Sequence, residues 1–150
     1  MEYMLMPLKR YADFQGRSRR KEYWMFTLGI VIVYMLLMIP MMSAVISAAA
    51  SGRGNDPQAA LSMFTGIGGI GMVLLTIFAL AIFIPSLAVQ IRRLHDTDRS
   101  GWWILLGFVP IVNYIGIWVL LVFYCLEGTK GPNRFGEDPK THQNLTDVFS

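Results

Sequence analysis

The segment "YWMFTLGIVIVYMLLMIPMMSAVISAAASG", residues 23–52, contains no Asp, Glu, Lys or Arg over 30 positions. Two further charge-free runs follow it, 35 residues long at 57–91 and 27 residues long at 100–126. A helix needs about 20 apolar residues to cross the hydrocarbon core of a bilayer. Because all three runs exceed that length, the sequence predicts an all-α integral membrane protein with three transmembrane helices, at about 24–50, 61–89 and 102–126.

The composition of the whole chain agrees with this interpretation. Only 15% of its 150 residues are charged, against about 25% in soluble proteins, and we expect a single membrane domain over residues 1–150. A cleaved signal peptide is the alternative for the first run, but a signal has a short basic leader and an apolar core of about 7–15 residues. Here 22 charge-rich residues precede a run of 30, so we expect an uncleaved span.

The distribution of Lys and Arg predicts the orientation of the chain in the membrane. With three crossings, nine Lys and Arg at 1–22 and 92–99 oppose four elsewhere, which places the N-terminus and loop 92–99 in the cytoplasm and the C-terminal tail outside. A re-entrant hairpin near Pro110 and Asn113 would instead return the tail to the cytoplasm. Twelve Lys and Arg would then lie on the cytoplasmic side and one outside. We expect one kinked span at 102–126, and the sequence leaves the hairpin open as the alternative.

The N-terminal segment is expected to form a short interfacial helix, because Met4, Leu8, Tyr11 and Ala12 share one helical face. A disordered leader is the alternative for the same residues.

Small residues recur in the first two spans. Ser43, Ser47 and Ser51 are spaced by four residues, and "TGIGGIGM" occupies residues 65–72. Small residues at this spacing let helix backbones approach closely, which favours helix packing and a possible homo-oligomer. A homo-oligomeric pore lined by these stripes is a further hypothesis.

Three segments carry a resemblance to a known family: "FQGRSRRKEYWMF" (14–26), "PSLAVQIRRLHDTDRSGWWILLGFVP" (85–110) and "GTKGPNRFGEDP" (128–139). Together they resemble the DUF805 family of small bacterial inner-membrane proteins. The resemblance implies a compact multi-span helical protein of that membrane, and it implies no activity because the family has no assigned function. Where the family usually has glycine, this chain has Asp98, and both residues accept a left-handed turn.

The basic residues beside the spans are candidate contacts for anionic phospholipid or for a partner protein. Each such charge near an anionic leaflet contributes about 1 kcal/mol of attraction. The ordinary alternative is that these charges only set the topology. Ser18 is a candidate N-cap for the first helix. The candidate lipid or partner contacts are Arg17, Arg19, Arg20, Lys21, Arg92, Arg93, Arg99 and Arg134.

A second group of residues is expected to form a structural charge network at the loop. Glu22 is an acid at the membrane edge, so it should pair with a cation, and Arg92 or Arg93 can supply one. His95, Asp96 and Asp98 are the other candidate members, with Asp96, Asp98 or Ser100 capping the next helix. The predicted interfacial anchors are Trp24, Trp102 and Trp103.

An intramembrane enzyme acting on a lipid head group is the main alternative function. His95 would serve as general base, oriented by Asp96 or Asp98. Adjacent residues on a helix do not face each other, so His95 and Asp96 would make a poor catalytic pair. We assign no catalytic residue. The chain has one cysteine and two distant histidines, which excludes zinc-ligand spacing. We predict no metal, no cofactor and no nucleic-acid partner.

Overall fold

The computed structural model describes residues 2–52, 56–58, 61 and 65–140. Its helices are α1 (Glu2–Lys9), α2 (Arg20–Ala50), α3 (Ile67–Asp96) and α4 (Asn113–Cys125), with a 3-10 helix at Gly101–Gly107 between α3 and α4. Within these residues, the only pairing of extended chain is an isolated bridge from Asn133 to Gly136. The all-helical fold class is therefore confirmed, although residues 62–64 of the second expected span lie outside the described part.

The chain divides into two compact units. The apolar unit is Leu28–Phe83, and the charged unit combines Met1–Thr27 with Ile84–Ser150. Two helices of the described chain, Arg20–Ala50 and Gly68–Asp96, are long and apolar enough to cross a membrane. Both carry large exposed apolar side chains along their charge-free parts, as lipid-facing helices do.

The apolar unit is held by a close approach of α2 and α3. A Cβ added at Gly71 would lie 3.1 Å from Pro40 Cγ, so glycine lets the two helices meet at the proline. The rings of Tyr34 and Phe78 add an edge-on contact with centroids 5.2 Å apart. One glycine of the "TGIGGIGM" run therefore serves close packing.

The serine stripe of α2 has its hydroxyl groups bonded to its own helix. Ser43 donates to Pro40 O at 2.8 Å and Ser47 to Ala44 O at 2.9 Å. Hydroxyl groups that bond back to their own helix offer fewer donors to a water-filled lumen. This arrangement gives the pore hypothesis no support.

The charged unit has a small apolar core where α3, the 3-10 helix and α4 meet. Leu94, Ile104, Leu120 and Tyr124 are its buried members. Ser100 caps the 3-10 helix, since its Oγ accepts a hydrogen bond from Trp102 N. The backbone at residue 98 is left-handed, with a φ of 56° for Asp98, as the turn prediction required.

The third apolar run does not form one continuous helix. The 3-10 helix ends at Gly107, and α4 begins only at Asn113 and has 13 residues. Thirteen residues rise about 20 Å, short of a hydrocarbon core about 30 Å thick. Gly116 packs against the Leu106 carbonyl, where a Cβ would clash, so the run folds back on itself. Three spans are therefore not confirmed. In the described part of the chain, two helices are of crossing length, and this run forms a shorter hairpin.

The tail contacts loop 92–99 directly, which corrects the expectation that it lies on the opposite side of the membrane. Thr129 N donates to Asp96 O at 2.8 Å, and an Arg134 guanidinium nitrogen donates to Asp98 O at 2.8 Å. A bilayer cannot separate two segments that share hydrogen bonds. The first residues of the tail and loop 92–99 therefore lie on the same side.

Candidate functional site

Asp96 stands at the centre of the charged unit, between two buried arginines. Arg17 Nε donates to Asp96 Oδ1 at 3.0 Å, and Arg93 pairs with Oδ2 of the same carboxylate. The three side chains are 1%, 0% and 8% exposed for Arg17, Arg93 and Asp96 respectively. One carboxylate thus serves two desolvated cations, and we refer to these three residues as the arginine cluster.

The arginine cluster also holds the tail in place through backbone carbonyls. Arg17 donates to Gly131 O at 2.6 Å and to Thr129 O at 2.5 Å. Arg93 Nε donates to Tyr124 O at 3.2 Å, and another nitrogen of Arg93 donates to Leu126 O. Hydrogen bonds from charged donors are roughly twice as strong as neutral ones. Arg17 therefore fixes the tail, and Arg93 fixes the end of α4, from which the tail starts.

Arg92 and Glu22 form a second buried pair. Their closest nitrogen and oxygen lie 3.5 Å apart, with side chains 0% and 7% exposed. Within the described residues, the three guanidinium nitrogens of Arg92 and Oε1 of Glu22 have no hydrogen-bond partner. The pair is thus an ion pair without the hydrogen bonds that usually compensate the cost of burial.

Ser18 does not cap α2. The helix begins at Arg20, and Ser18 Oγ has no hydrogen-bond partner in the described chain. The backbone N–H of Ser18 donates instead to Arg92 O at 3.1 Å. Because Ser18 is bound to the end of α3, it lies outside the first turn of α2.

Burial changes the set of candidate lipid contacts. Arg17, Arg92 and Arg93 were expected at the surface, but all three are buried. Arg17 and Arg93 bind Asp96 and backbone carbonyls, and Arg92 pairs with Glu22. Buried side chains cannot contact lipid, so these arginines leave that set. Two other candidates contact neighbouring side chains. The Arg99 guanidinium carbon lies 3.5 Å from the centroid of the Phe123 ring, and Arg134 forms an ion pair with Asp98 at 3.1 Å.

The three candidates that remain, Arg19, Arg20 and Lys21, line one cavity of about 420 Å³, which we call the basic cavity. It lies at the N-terminus of α2, where the helix dipole adds positive potential. Two carboxylates, Asp96 and Asp138, also line it, and Asp96 is already shared by two arginines. The five cationic residues that line it are Arg17, Arg19, Arg20, Lys21 and Lys140.

The tail closes one side of the basic cavity. Arg20 and Lys140 both reach Glu127, at 3.3 and 3.2 Å, and Arg19 donates to Pro139 O. The hydrogen bond from Lys140 holds the pKa of Glu127 below its ordinary value. Backbone N–H groups, first that of Lys140 and then that of Gly131, lower the pKa of Asp138. Both carboxylates are therefore ionised at neutral pH.

The structure does not bring His95 and the carboxylate of Asp96 together as a catalytic pair. The His95 ring stacks on Phe135 with centroids 3.9 Å apart, and its Nδ1 lies 3.3 Å from Gly16 O. Both oxygens of Asp96 are taken by arginines. In the described part of the chain, no group of three His, Cys, Asp or Glu residues has metal-binding geometry.

The three predicted anchor tryptophans all lie on the surface. Trp102 is 77% exposed, while Trp24 and Trp103 are partly covered by Tyr23 and Phe123. Exposed indole rings beside charge-free segments are typical of the membrane interface.

Sequence reasoning missed the residues that the tail contributes to this site, Gly128 and Lys140 above all. Gly128 lies so close to the arginine cluster that a Cβ there would overlap the Asp96 carboxylate. Glycine after a span also marks an ordinary turn, so the sequence alone gives no signal for this contact.

Gly128→Ala should lower the free energy of unfolding by about 1–3 kcal/mol, because the methyl group must displace Asp96 from its arginines. Tryptophan fluorescence during SDS titration in mixed micelles measures the change. Gly107→Ala is the matched control, since a Cβ there meets only Leu120 Cδ1 at 3.6 Å. Equal effects of the two substitutions would contradict the close contact.

Comparisons with known proteins agree with a membrane location. The profile of a family described as "Protein of unknown function (DUF805)" matches residues 11–137. The chain is 46% identical over 144 residues to inner membrane protein YhaI of Escherichia coli K12, covering 96% of this chain and 100% of that one. It is 42% identical to inner membrane protein YhaH of the same organism, covering 93% and 98% of the two chains. No solved structure matches.

Proposed function

This chain belongs to the DUF805 family, and we propose that it is a non-enzymatic protein of the bacterial inner membrane whose basic cavity binds the headgroup phosphate of an anionic phospholipid. The carrying observation is that four cationic side chains outside the arginine cluster, those of Arg19, Arg20, Lys21 and Lys140, line that cavity. Arg and Lys clusters at a membrane surface attract anionic headgroups. Cations outnumber carboxylates there, and Asp96 is already engaged by Arg17 and Arg93.

The proposal includes a topology with two crossings, α2 and α3, and a hairpin at 101–125 that does not cross. The N-terminus, loop 92–99 and tail then share the cytoplasmic side, with twelve Lys and Arg against one in the linker between the spans. That asymmetry follows the positive-inside rule more closely than the three-crossing topology, which places nine Lys and Arg inside and four outside. The basic cavity would face the inner leaflet, where anionic lipids are available.

Lys21→Glu tests the headgroup site, because Lys21 lines the basic cavity and its side chain is exposed. Reversing one charge should cost about 2 kcal/mol, which is roughly 30-fold in affinity. Native mass spectrometry of the full-length protein in detergent measures retention of phosphatidylglycerol, with phosphatidylethanolamine as the zwitterionic reference.

Lys130→Glu is the matched control, since Lys130 is an exposed lysine of the same unit that does not line the cavity. We expect it to retain phosphatidylglycerol within about threefold of the wild type. Equal retention by the two variants would overturn the proposal.

A further inference from the structure

A second cavity, of about 320 Å³, lies within the charged unit between α4 and the 3-10 helix. Most of its lining is aliphatic or aromatic: Ile104, Phe108, Ile117, Leu120 and Leu121. Its volume falls in the range of about 300–1,000 Å³ that ligand pockets occupy. We call it the apolar cavity, and nothing in the headgroup proposal uses it.

The apolar cavity has one polar edge. Tyr124 OH donates to Gln90 Oε1 at 3.1 Å, and both residues line the cavity beside Tyr23. The Gln90 amide also carries two N–H donors. An ester carbonyl between a headgroup and its chains is an acceptor of the kind that such an amide binds.

The linings of the two cavities come close to each other at the start of α2 and the end of α4. Arg20 lines the basic cavity and Tyr23 the apolar one, and three residues along a helix correspond to a rise of about 4.5 Å. On the other wall, Arg20 donates to Cys125 O at 3.4 Å, directly after Tyr124. Tyr23 and Tyr124 have ring centroids 4.6 Å apart, so this aromatic pair marks the boundary between cations and aliphatic side chains.

We infer that the apolar cavity takes part of an acyl chain of the same phospholipid whose phosphate lies in the basic cavity, with the Tyr124–Gln90 pair at its ester level. This inference rests on the proposed function and adds a single-lipid site to it. A ligand that fits both cavities must have an anionic group within a few ångströms of a long hydrocarbon chain. A free phosphate ester satisfies only the basic cavity.

Leu121→Trp tests the chain site, because Leu121 lines the apolar cavity and a larger side chain there fills it. We expect it to weaken phosphatidylglycerol retention at least tenfold while leaving binding of water-soluble glycerol phosphate unchanged. Val122→Trp is the matched control, being the next residue of α4, exposed and outside the cavity lining. Ile117→Trp, which also lines the cavity, provides a second variant if Leu121→Trp does not fold.

The outcomes separate the two proposals. If Leu121→Trp and Ile117→Trp both retain phosphatidylglycerol as Val122→Trp does, the chain site is wrong, while a loss on Lys21→Glu still supports the headgroup site. If Lys21→Glu has no effect, the headgroup site fails, and the chain inference fails with it. Glycerol phosphate binding as tight as phosphatidylglycerol binding would also overturn the chain site, because a free ester would then be sufficient.

Discussion

Asp96→Asn is expected to destabilise the protein by about 3–5 kcal/mol, which is the largest single effect that we predict. Arg17 and Arg93 share the Asp96 carboxylate, and both are buried. The amide keeps the shape of the carboxylate but removes its charge, so two desolvated guanidinium groups lose their common counterion. The tail should loosen together with them, because Arg17 binds its Thr129 carbonyl and Arg93 binds the Leu126 carbonyl where α4 ends.

Asp98→Asn is the matched control for this variant. It makes the same chemical change two residues away, where Asp98 pairs with Arg134 at the exposed surface. Exposed ion pairs contribute about 0–1 kcal/mol, and asparagine accepts the left-handed backbone of residue 98. SDS titration in mixed micelles compares the two, and a similar loss for both would show that Asp96 is not a buried counterion.

Glu22→Gln has the second largest expected effect, a loss of about 3 kcal/mol, because it leaves Arg92 buried without a counterion. The double variant Glu22→Leu/Arg92→Met should recover most of that loss. The guanidinium nitrogens of Arg92 make no hydrogen bond among the described residues. An apolar pair of similar volume therefore loses no hydrogen bond of Arg92, and it removes the cost of burying two charges. The same titration measures both variants, and a double variant no more stable than the single one would contradict this reasoning.

The membrane helices could be predicted from the sequence because crossing a bilayer depends on the length of a charge-free run, which is a one-dimensional property. The same reasoning failed at 100–126, where 27 apolar residues form a 3-10 helix and a short α4. Length alone does not show where a run folds back. The relevant contact, Gly116 against the Leu106 carbonyl, exists only in three dimensions.

The candidate site was predictable in part. Glu22 needs a cation at the membrane edge, and the sequence offered Arg92 or Arg93; the structure places Arg92 beside it. The burial of Arg17 and Arg93 could not be predicted, because arginines are ordinarily exposed. Apart from Asp96, their acceptors are backbone carbonyls, which every residue has. Two contributions of the tail, Lys140 at the basic cavity and Gly128 against Asp96, depend on how the tail folds over the arginine cluster.

In the proposed topology, the tail returns to the side of the N-terminus and covers the arginine cluster. Cysteine labelling in intact cells with a membrane-impermeant maleimide tests it, using Lys130→Cys in a Cys125→Ser background, with Asp56→Cys in the same background as the control for the linker between the spans. We predict that residue 56 is labelled in intact cells and that residue 130 is labelled only after the membrane is opened. Labelling of residue 130 in intact cells together with residue 56 would place the tail outside and contradict the two-crossing topology.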